Sequence, residues 1–256
     1  MKEVKEAFGK LEQYHLLKKD PLVRQHLPHT TNYSKEQLDC FAQAHPVVFI
    51  KHNTSGQGRG VYRLAREEGA FYSLKGYSLQ GEKIDQSMTL ADVHKTLQPF
   101  ERFGRTRPYI IQEGINSVTT DGQHVNIRVH VQRMDGQAIV GGMYGSTAHE
   151  ENGITNMRRG ADAMPMQRLL SRYLNVKPDE QQSILKQLSA VSISAANLIA
   201  HQYDCRECGV DLGLDKELKP FIFEVNITPG IGGFNKMDKR VWKQIIENRK
   251  KMSTSL

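Results

Sequence analysis

The sharpest chemical signal in the sequence lies in Asp211, Glu224 and Asn226. In an antiparallel hairpin turning near Glu217 and Leu218, position 211 stands opposite 224, and side chains return to one face every second residue. The three oxygen-bearing side chains then share a face. Val210, Leu212 and Leu214 point the other way, as do Phe221, Phe223 and Val225, so the hairpin lies on a core by its apolar side. Two carboxylates placed directly opposite one another repel unless a cation offsets them. Mg²⁺ takes a few carboxylate and amide oxygens and keeps positions for phosphate oxygens. A metal site is predicted here, although the same three residues read alone equally suit a solvated polar stripe.

A second constellation is Lys51 followed by Gly56, Gly58 and Gly60, in G-x-G-x-G spacing between two β-branched runs. Lysine supplies charge for phosphate, and glycine lets the backbone approach closely without a Cβ. A strand follows these glycines. That argues against a dinucleotide fold, which needs a helix there, and against a P-loop, which needs Lys-Ser or Lys-Thr at the loop's end. A hairpin flap over phosphates remains, beside the plainer reading of an ordinary glycine-rich hairpin. The protein-kinase signatures are missing downstream. On the run Asn126 to Arg133, Ile127, Val129 and Val131 can face a core while Asn126, Arg128, His130 and Gln132 face away. Arg128 would stabilise phosphoryl charge if that face lines a binding cleft, and is otherwise a surface arginine.

Cys205 and Cys208 form a single CxxC without the second ligand pair of a structural zinc site, and are read as small residues flanking a strand start in a reducing compartment. A net charge of +7 on 256 residues would suit a polyanion, yet the lysines and arginines are scattered, and a phosphate-bearing small ligand explains several of them. No apolar run reaches the roughly 20 residues of a membrane span. No secretory signal is read in Met1 to Lys10, so the expected location is cytoplasmic.

The elements that must position these residues alternate along the chain. Residues 2 to 19 carry roughly helical apolar spacing up to Asp20-Pro21, and Lys35 to Ala44 reads as a helix with Ser34 as N-cap and Gln37 as its capping-box partner. Strands are predicted at 47–51, 61–64, 71–74, 109–112, 125–133, 137–141, 210–214 and 221–227, and a short helix at 90–97. Ile184, Leu188, Val191, Ala195, Leu198 and Ile199 recur in steps of three and four, marking the buried face of a helix over 178–202 that opens on Pro178, Asp179 and Glu180.

Taken in this order, the segments resemble the ATP-grasp superfamily, most closely its YheC/YheD, endospore coat-associated branch. HLPHTTNYSKEQLDCFAQAHPVVFIKHNTSGQGRGVYRL is similar to that family's LP-x-T, helix, Lys-bearing strand and flap. FGKLEQY resembles an earlier ATP-contacting lysine segment, and YIIQEGI the hinge whose backbone meets adenine. HVNIRVHVQR resembles the D-x-R strand, ITNMRRGA the later Asn-Gly segment, and CGVDLGLDKELKPFIFEVNITPG the metal hairpin with its E-x-N signature. The resemblance covers nearly the whole chain. Asn126 stands where the family usually has aspartate, His52 replaces a proline, Ala161 a glycine, and an arginine expected near Ser146 is missing.

The resemblance implies an α+β ATP-grasp fold, two α+β subdomains enclosing a nucleotide cleft under a glycine-rich β-hairpin flap. The expected division is a leading helical segment over 1–27, a small subdomain with the flap over 28–108, and a C-terminal subdomain with the metal hairpin over 109–256. Lys10 and Lys51 would contact ATP phosphates, with Gly56, Gly58 and Gly60 above them. Gln112, Glu113 and Ile115 would border the adenine, Arg128 would face the γ-phosphate, and Asn156 would lie on the Asn-Gly segment. Asp211, Glu224 and Asn226 would hold one or two Mg²⁺ ions, with Mn²⁺ as a substitute. The implied reaction joins a carboxylate to an amine through an acyl phosphate. Its alternatives are a non-catalytic nucleotide-binding structural or regulatory protein associated with the spore, and a phosphotransferase. The acceptor, a small molecule or peptide, would be chosen by loops within 142–165. The family's usual N-terminal domain is expected to be absent or supplied by a protein partner. Nucleic acid and membrane are not expected partners.

Overall fold

The structure, a computed structural model, describes residues 9–148 and 162–254. In chain order these form α1 (Lys10–Leu17), α2 (Pro21–Arg24), β1 (Thr30–Asn32), α3 (Lys35–Ala44), β2 (Val47–His52), β3 (Val61–Arg66), β4 (Tyr72–Tyr77), β5 (Lys83–Met88), α4 (Leu90–Leu97) and β6 (Tyr109–Glu113). There follow β7 (His124–Met134), β8 (Gln137–Ala148), β9 (Asp162–Met164), α5 (Met166–Arg168), α6 (Pro178–Tyr203), β10 (Glu207–Leu214), β11 (Pro220–Asn226), α7 (Gly232–Met237) and α8 (Lys239–Thr254). The described chain divides into two compact units, one of residues 9–14 and 28–115, the other of 15–27, 116–148 and 162–254. The expected boundary at 108/109 moves to 115/116 because β6 is an interior strand of the first unit's sheet. Residues 15–27 join the second unit, where the His26 carbonyl accepts the Ile222 amide at 2.8 Å.

The first unit is a six-stranded antiparallel sheet in the order β1-β6-β2-β3-β4-β5. Alternation on β2 sends Val48 and Ile50 into a core with Leu64, Leu74 and Ile111, closed by Leu38 and Phe41 of α3 and by Val93 and Leu97 of α4. Phe49 and Lys51 take the opposite phase, which fixes the face that Lys51 presents. Helix α3 begins as predicted, the Ser34 hydroxyl accepting the Gln37 amide at 3.1 Å. Helix α1 ends at Leu17, and Asp20, just ahead of Pro21, starts α2, its Oδ1 accepting the amides of Leu22 and Val23 at 2.9 Å.

The second unit is a five-stranded sheet in the order β11-β10-β7-β8-β9. Its apolar face, with Ile127, Val129, Val210 and Leu212 fully buried, lies against Leu188, Val191, Ala195 and Ile199 of α6, while Leu198 is half-buried. Among the described residues α6 alone is long and apolar enough to cross a membrane, and its packing on β7, β8, β10 and β11 makes it a core helix. The other face is divided. Asn126 and Arg128 keep some exposure, but α7 and α8 lie on β7 and β8 and bury His130 and Gln132 completely.

That cover is held by polar contacts. Gln132 donates to the Ile245 carbonyl at 3.1 Å and accepts from Asn248 at 2.9 Å. Glu207 receives the Arg249 guanidinium at 2.6 Å and lies 3.1 Å from His130 Nε2. Burial alone would raise the Glu207 carboxyl, but His130 and Arg249 outweigh it and bring it down to about 2. The stabilisation is therefore complete above the ordinary glutamate range near 4.5 and is lost as pH falls toward 2. Glu207→Gln should lower stability at neutral pH by about 2 kcal/mol. It should also flatten the loss of melting temperature between pH 4.5 and 2, as checked by thermal unfolding across that range.

Candidate functional site

In the second unit the hairpin register is the predicted one, with Asp211 directly opposite Glu224. The turn also falls where expected. Leu218 adopts φ 62°, and Asp215 Oδ1 accepts the amides of Glu217 and Lys219 at 2.9 Å. The apolar phase differs on β11. A bulge follows the Asp211–Glu224 pair, so Leu212 faces Ile222, and Ile222 is buried where Phe221 and Phe223 were expected to be. The extra residue reverses the alternation beyond Glu224 and leaves both phenylalanines half-buried.

Asp211 is also paired across β10 to Arg128, and Arg128 across β7 to Tyr144, so Glu224, Asp211, Arg128 and Tyr144 form one row. The cation that offsets Asp211 is therefore a side chain of the neighbouring strand. Arg128 meets it in a fork, Nε to Oδ1 at 2.7 Å and Nη2 to Oδ2 at 2.8 Å, with 17% and 15% of the two side chains exposed. Burial works against the arginine's charge, but Asp211 overrides it, helped by Glu224, and raises its pKa. Gly209 makes the room. A Cβ there would lie 2.9 Å from Arg128 Nη1 and 2.8 Å from Pro229 Cβ.

Two amides complete the shell. Asn126 Nδ2 donates to Asp211 Oδ1 at 3.2 Å and Asn226 Nδ2 to Oδ2 at 3.0 Å. With the two guanidinium bonds, Asp211 accepts four hydrogen bonds, which is about the lone-pair capacity of a carboxylate. The donor set suits a hard divalent cation, since Asp211, Glu224 and Asn226 contribute carboxylate and amide oxygens on one face. Coordination through Asp211 requires one of its four donors to leave. Asn226 is the simplest to exchange, because turning its amide replaces Nδ2 with Oδ1, a donor with a ligand. Ser146, standing where the resemblance expects arginine, is buried and donates to the Asn126 carbonyl at 3.2 Å.

The first unit assembles the remaining candidates into two short chains of contacts. Lys51 Nζ donates to Gln112 Oε1 at 2.5 Å, and Gln112 Nε2 donates to Thr30 Oγ1 at 2.9 Å. Lys10, nearly buried, donates from Nζ to the Ser55 carbonyl at 2.6 Å and so reaches the glycine loop. Gly58 and Gly60 lie at φ 73° and 61°, the left-handed region that glycine favours, whereas Gly56 is in open space. The loop is anchored. Gly60 donates its amide to Tyr77 O at 2.8 Å and accepts the His52 amide at 2.7 Å, a bond proline at 52 could not make. Glu113 is engaged with the backbone, its carboxylate accepting the His29 amide at 3.1 Å, and Ile115 follows half-buried.

Asn156 and Ala161 lie outside the described residues, as does most of the expected acceptor loop. Residues 142–148 continue β8 and 162–164 form β9, so those ends of the loop are strand. Four residues that matter to this geometry were not singled out for these roles from the sequence: Asn126 as a donor to Asp211, Tyr144, Gly209 and Thr30. Gly209 left a signal, a missing Cβ two positions before Asp211 on the same face.

A family model described as YheC/D like ATP-grasp matches residues 4–256. The endospore coat-associated protein YheD of Bacillus subtilis (strain 168) is 25% identical over 230 residues, which are 88% of this chain and 49% of that protein. The chain thus spans about half the length of this relative. Among solved structures it is similar in fold to an L-amino acid ligase from Bacillus licheniformis, with 14% identity, TM-score 0.52, and coverage of 90% of this chain and 42% of that one. D-alanyl-alanine synthetase A from Vibrio cholerae gives 14% identity and TM-score 0.53, over 94% of this chain and 64% of that one. With its two α+β units, its strand-loop-strand glycine segment and its acidic hairpin, the chain belongs to the YheC/D-like ATP-grasp family.

Proposed function

We propose that the chain binds Mg-ATP and acts as an ATP-dependent ligase joining a carboxylate to an amine or related nucleophile through an acyl phosphate. The observation that carries the reading is the row Glu224, Asp211, Arg128 with Asn226 on the same face. It places three oxygen donors beside a guanidinium whose charge is assured. Asp211, Glu224 and Asn226 would hold one or two magnesium ions, or manganese in their place. When bound, the metal neutralises phosphate oxygens and so eases transfer of the γ-phosphoryl group. Arg128 would take phosphoryl charge through the edge of its guanidinium not committed to Asp211.

Lys51 and Lys10 would contact the phosphates, with Gln112 holding Lys51 in place and the Gly56–Gly60 loop lying over them. Gln112, Glu113 and Ile115 would border the adenine, and Asn156 would contribute from the segment before β9. Because the Gln112 and Glu113 side chains already have partners and the Glu113 and Gly114 amides donate to His29 and Val47, the adenine contact would fall to the remaining backbone groups of 113–115 at the end of β6. The acceptor would be a small molecule or a peptide, and the setting spore-associated, as for the coat-associated relative. A second reading, nucleotide binding without turnover, is favoured by the saturated Asp211 carboxylate and by Ser146 in place of arginine. ADP and phosphate release with a pool of carboxylates and amines separates the ligase from this reading, and a stable phosphorylated product marks a phosphotransferase.

Calorimetric titration of ATP should show magnesium-dependent binding. Lys51→Met should weaken it by about 2 kcal/mol, roughly 30-fold, with or without the metal. Glu224→Gln should instead remove most of the magnesium dependence. Arg128→Met leaves Asp211 with no cation and should destabilise the fold by about 3 kcal/mol. Because a divalent ion at this face would supply the missing charge, millimolar Mg²⁺ should restore more melting temperature to this variant than it adds to the native chain, as followed by scanning calorimetry.

A further inference from the structure

Away from the hairpin face, the second unit carries a feature that nucleotide binding does not use. Helix α6 ends on Asp204, whose φ of 43° turns the chain sharply into Cys205, and β10 begins two residues later. The turn brings the two thiols together, with Cys205 Sγ 3.3 Å from Cys208 Sγ. Cys208 is buried, paired to Val131 in the sheet, while Cys205 keeps partial exposure. The geometry thus has an accessible sulfur and a protected one in contact.

The surroundings are cationic. A cavity of about 350 Å³ next to this turn is lined by Arg133, Arg206 and Lys251, with Asp135 as its single acid and Met252 as an apolar wall. The Arg133 amide donates to the Arg206 carbonyl at 2.9 Å, and the Arg206 guanidinium donates to the Met252 carbonyl at 3.0 Å, which fixes the turn against the end of α8. Arg206, which joins the two cysteines in sequence, lines the cavity, as does Arg133, whose charge acts on Cys205, while neither sulfur is itself part of the lining. The volume suits one tripeptide-sized half of a small disulfide rather than a protein segment.

We propose that Cys205 and Cys208 form a thiol–disulfide exchange site for an anionic low-molecular-weight disulfide, seated by Arg133, Arg206 and Lys251. The Cys205 thiolate attacks one sulfur of the bound disulfide, giving a mixed disulfide and releasing one small thiolate. Cys208 then gives up its proton and attacks Cys205 Sγ, forming the Cys205–Cys208 bond and releasing the second. Two protein thiols are oxidised, one small disulfide is reduced, and the two thiol protons leave on the two small thiols. The division of roles agrees with the local electrostatics. A hydrogen bond from Cys208 lowers the Cys205 pKa, against burial and Asp204 and with help from Arg133. The Cys208 thiol is pushed up by that same bond, by burial and by Glu207, so it stays protonated until the mixed disulfide forms.

The test exposes the native chain to oxidised glutathione, which is anionic, and to cystamine, a cationic disulfide. Alkylation and peptide mass spectrometry then follow each cysteine, with the exposed Cys40 as the ordinary thiol on the same molecule. Oxidised glutathione should protect Cys205 and Cys208 together, with loss of two hydrogens, about tenfold faster than cystamine does. Cys208→Ser should stop at one glutathionyl group on Cys205, and Arg133→Glu with Lys251→Glu should abolish or invert the preference. The proposal is overturned if the pair stays alkylatable while Cys40 reacts, or if the two disulfides react equally fast. The native-chain measurement depends on no variant folding, and ATP binding plays no part in its outcome.

Discussion

The second unit is organised around one ion pair, Arg128 with Asp211. Each side chain is largely withdrawn from water, so neither charge is tolerable without the other. Their fork requires adjacent strands in one register, β7 beside β10, and it requires Gly209 to leave space for the guanidinium. It also sets what the hairpin can do. Glu224 lies opposite an aspartate already neutralised from the other side, which lets two carboxylates share a row. The same arrangement fills the acceptor positions of Asp211, so a divalent ion must compete with the amides of Asn126 and Asn226 for it.

The first unit solves a different problem, holding lysines still on a face opposite the core. A lysine side chain has several rotatable bonds, and its ordering is costly unless its ammonium finds a fixed acceptor. Lys51 finds Gln112, itself held by Thr30, and Lys10 finds the carbonyl at the start of the glycine loop. The loop is in turn tied to β4 through Gly60. Lys51 is thus positioned by polar contacts traceable to strand register, and Lys10, on α1, by a loop carbonyl.

Much of this was legible because it follows from alternation. The phase of β7, the pairing of 211 with 224 and the buried stripe of α6 all derive from periods of two and 3.6. The bulge after Asp211 was not legible, since nothing in the run Phe221-Ile222-Phe223 marks an extra residue, and it exchanged Ile222 for the two phenylalanines in the core. Strand β5 was hidden because Lys83–Met88 is polar and mostly exposed at a sheet edge, and β1 because three residues carry no period. Helix α8 escaped because its buried face includes Asn248 and is flanked by lysines and arginines. Without α8, the cover over His130 and Gln132 could not be anticipated. The cysteine pair shows the limit of motif spacing, since only the turn at Asp204 reveals that the two sulfurs meet.

The central claim is that a divalent ion with ATP takes its ligands from Asp211, Glu224 and Asn226. Manganese offers the most direct test, because its unpaired electrons broaden nearby NMR signals. With ATP present, Mn²⁺ should broaden the side-chain amides of Asn226 and Asn126 first. The Asn248 amide, hydrogen-bonded to Gln132 about 13 Å further along β7 from Arg128, should broaden far less and only at higher Mn²⁺. Sharp Asn226 and Asn126 signals on a chain that has bound Mn-ATP would place the metal elsewhere and contradict the account.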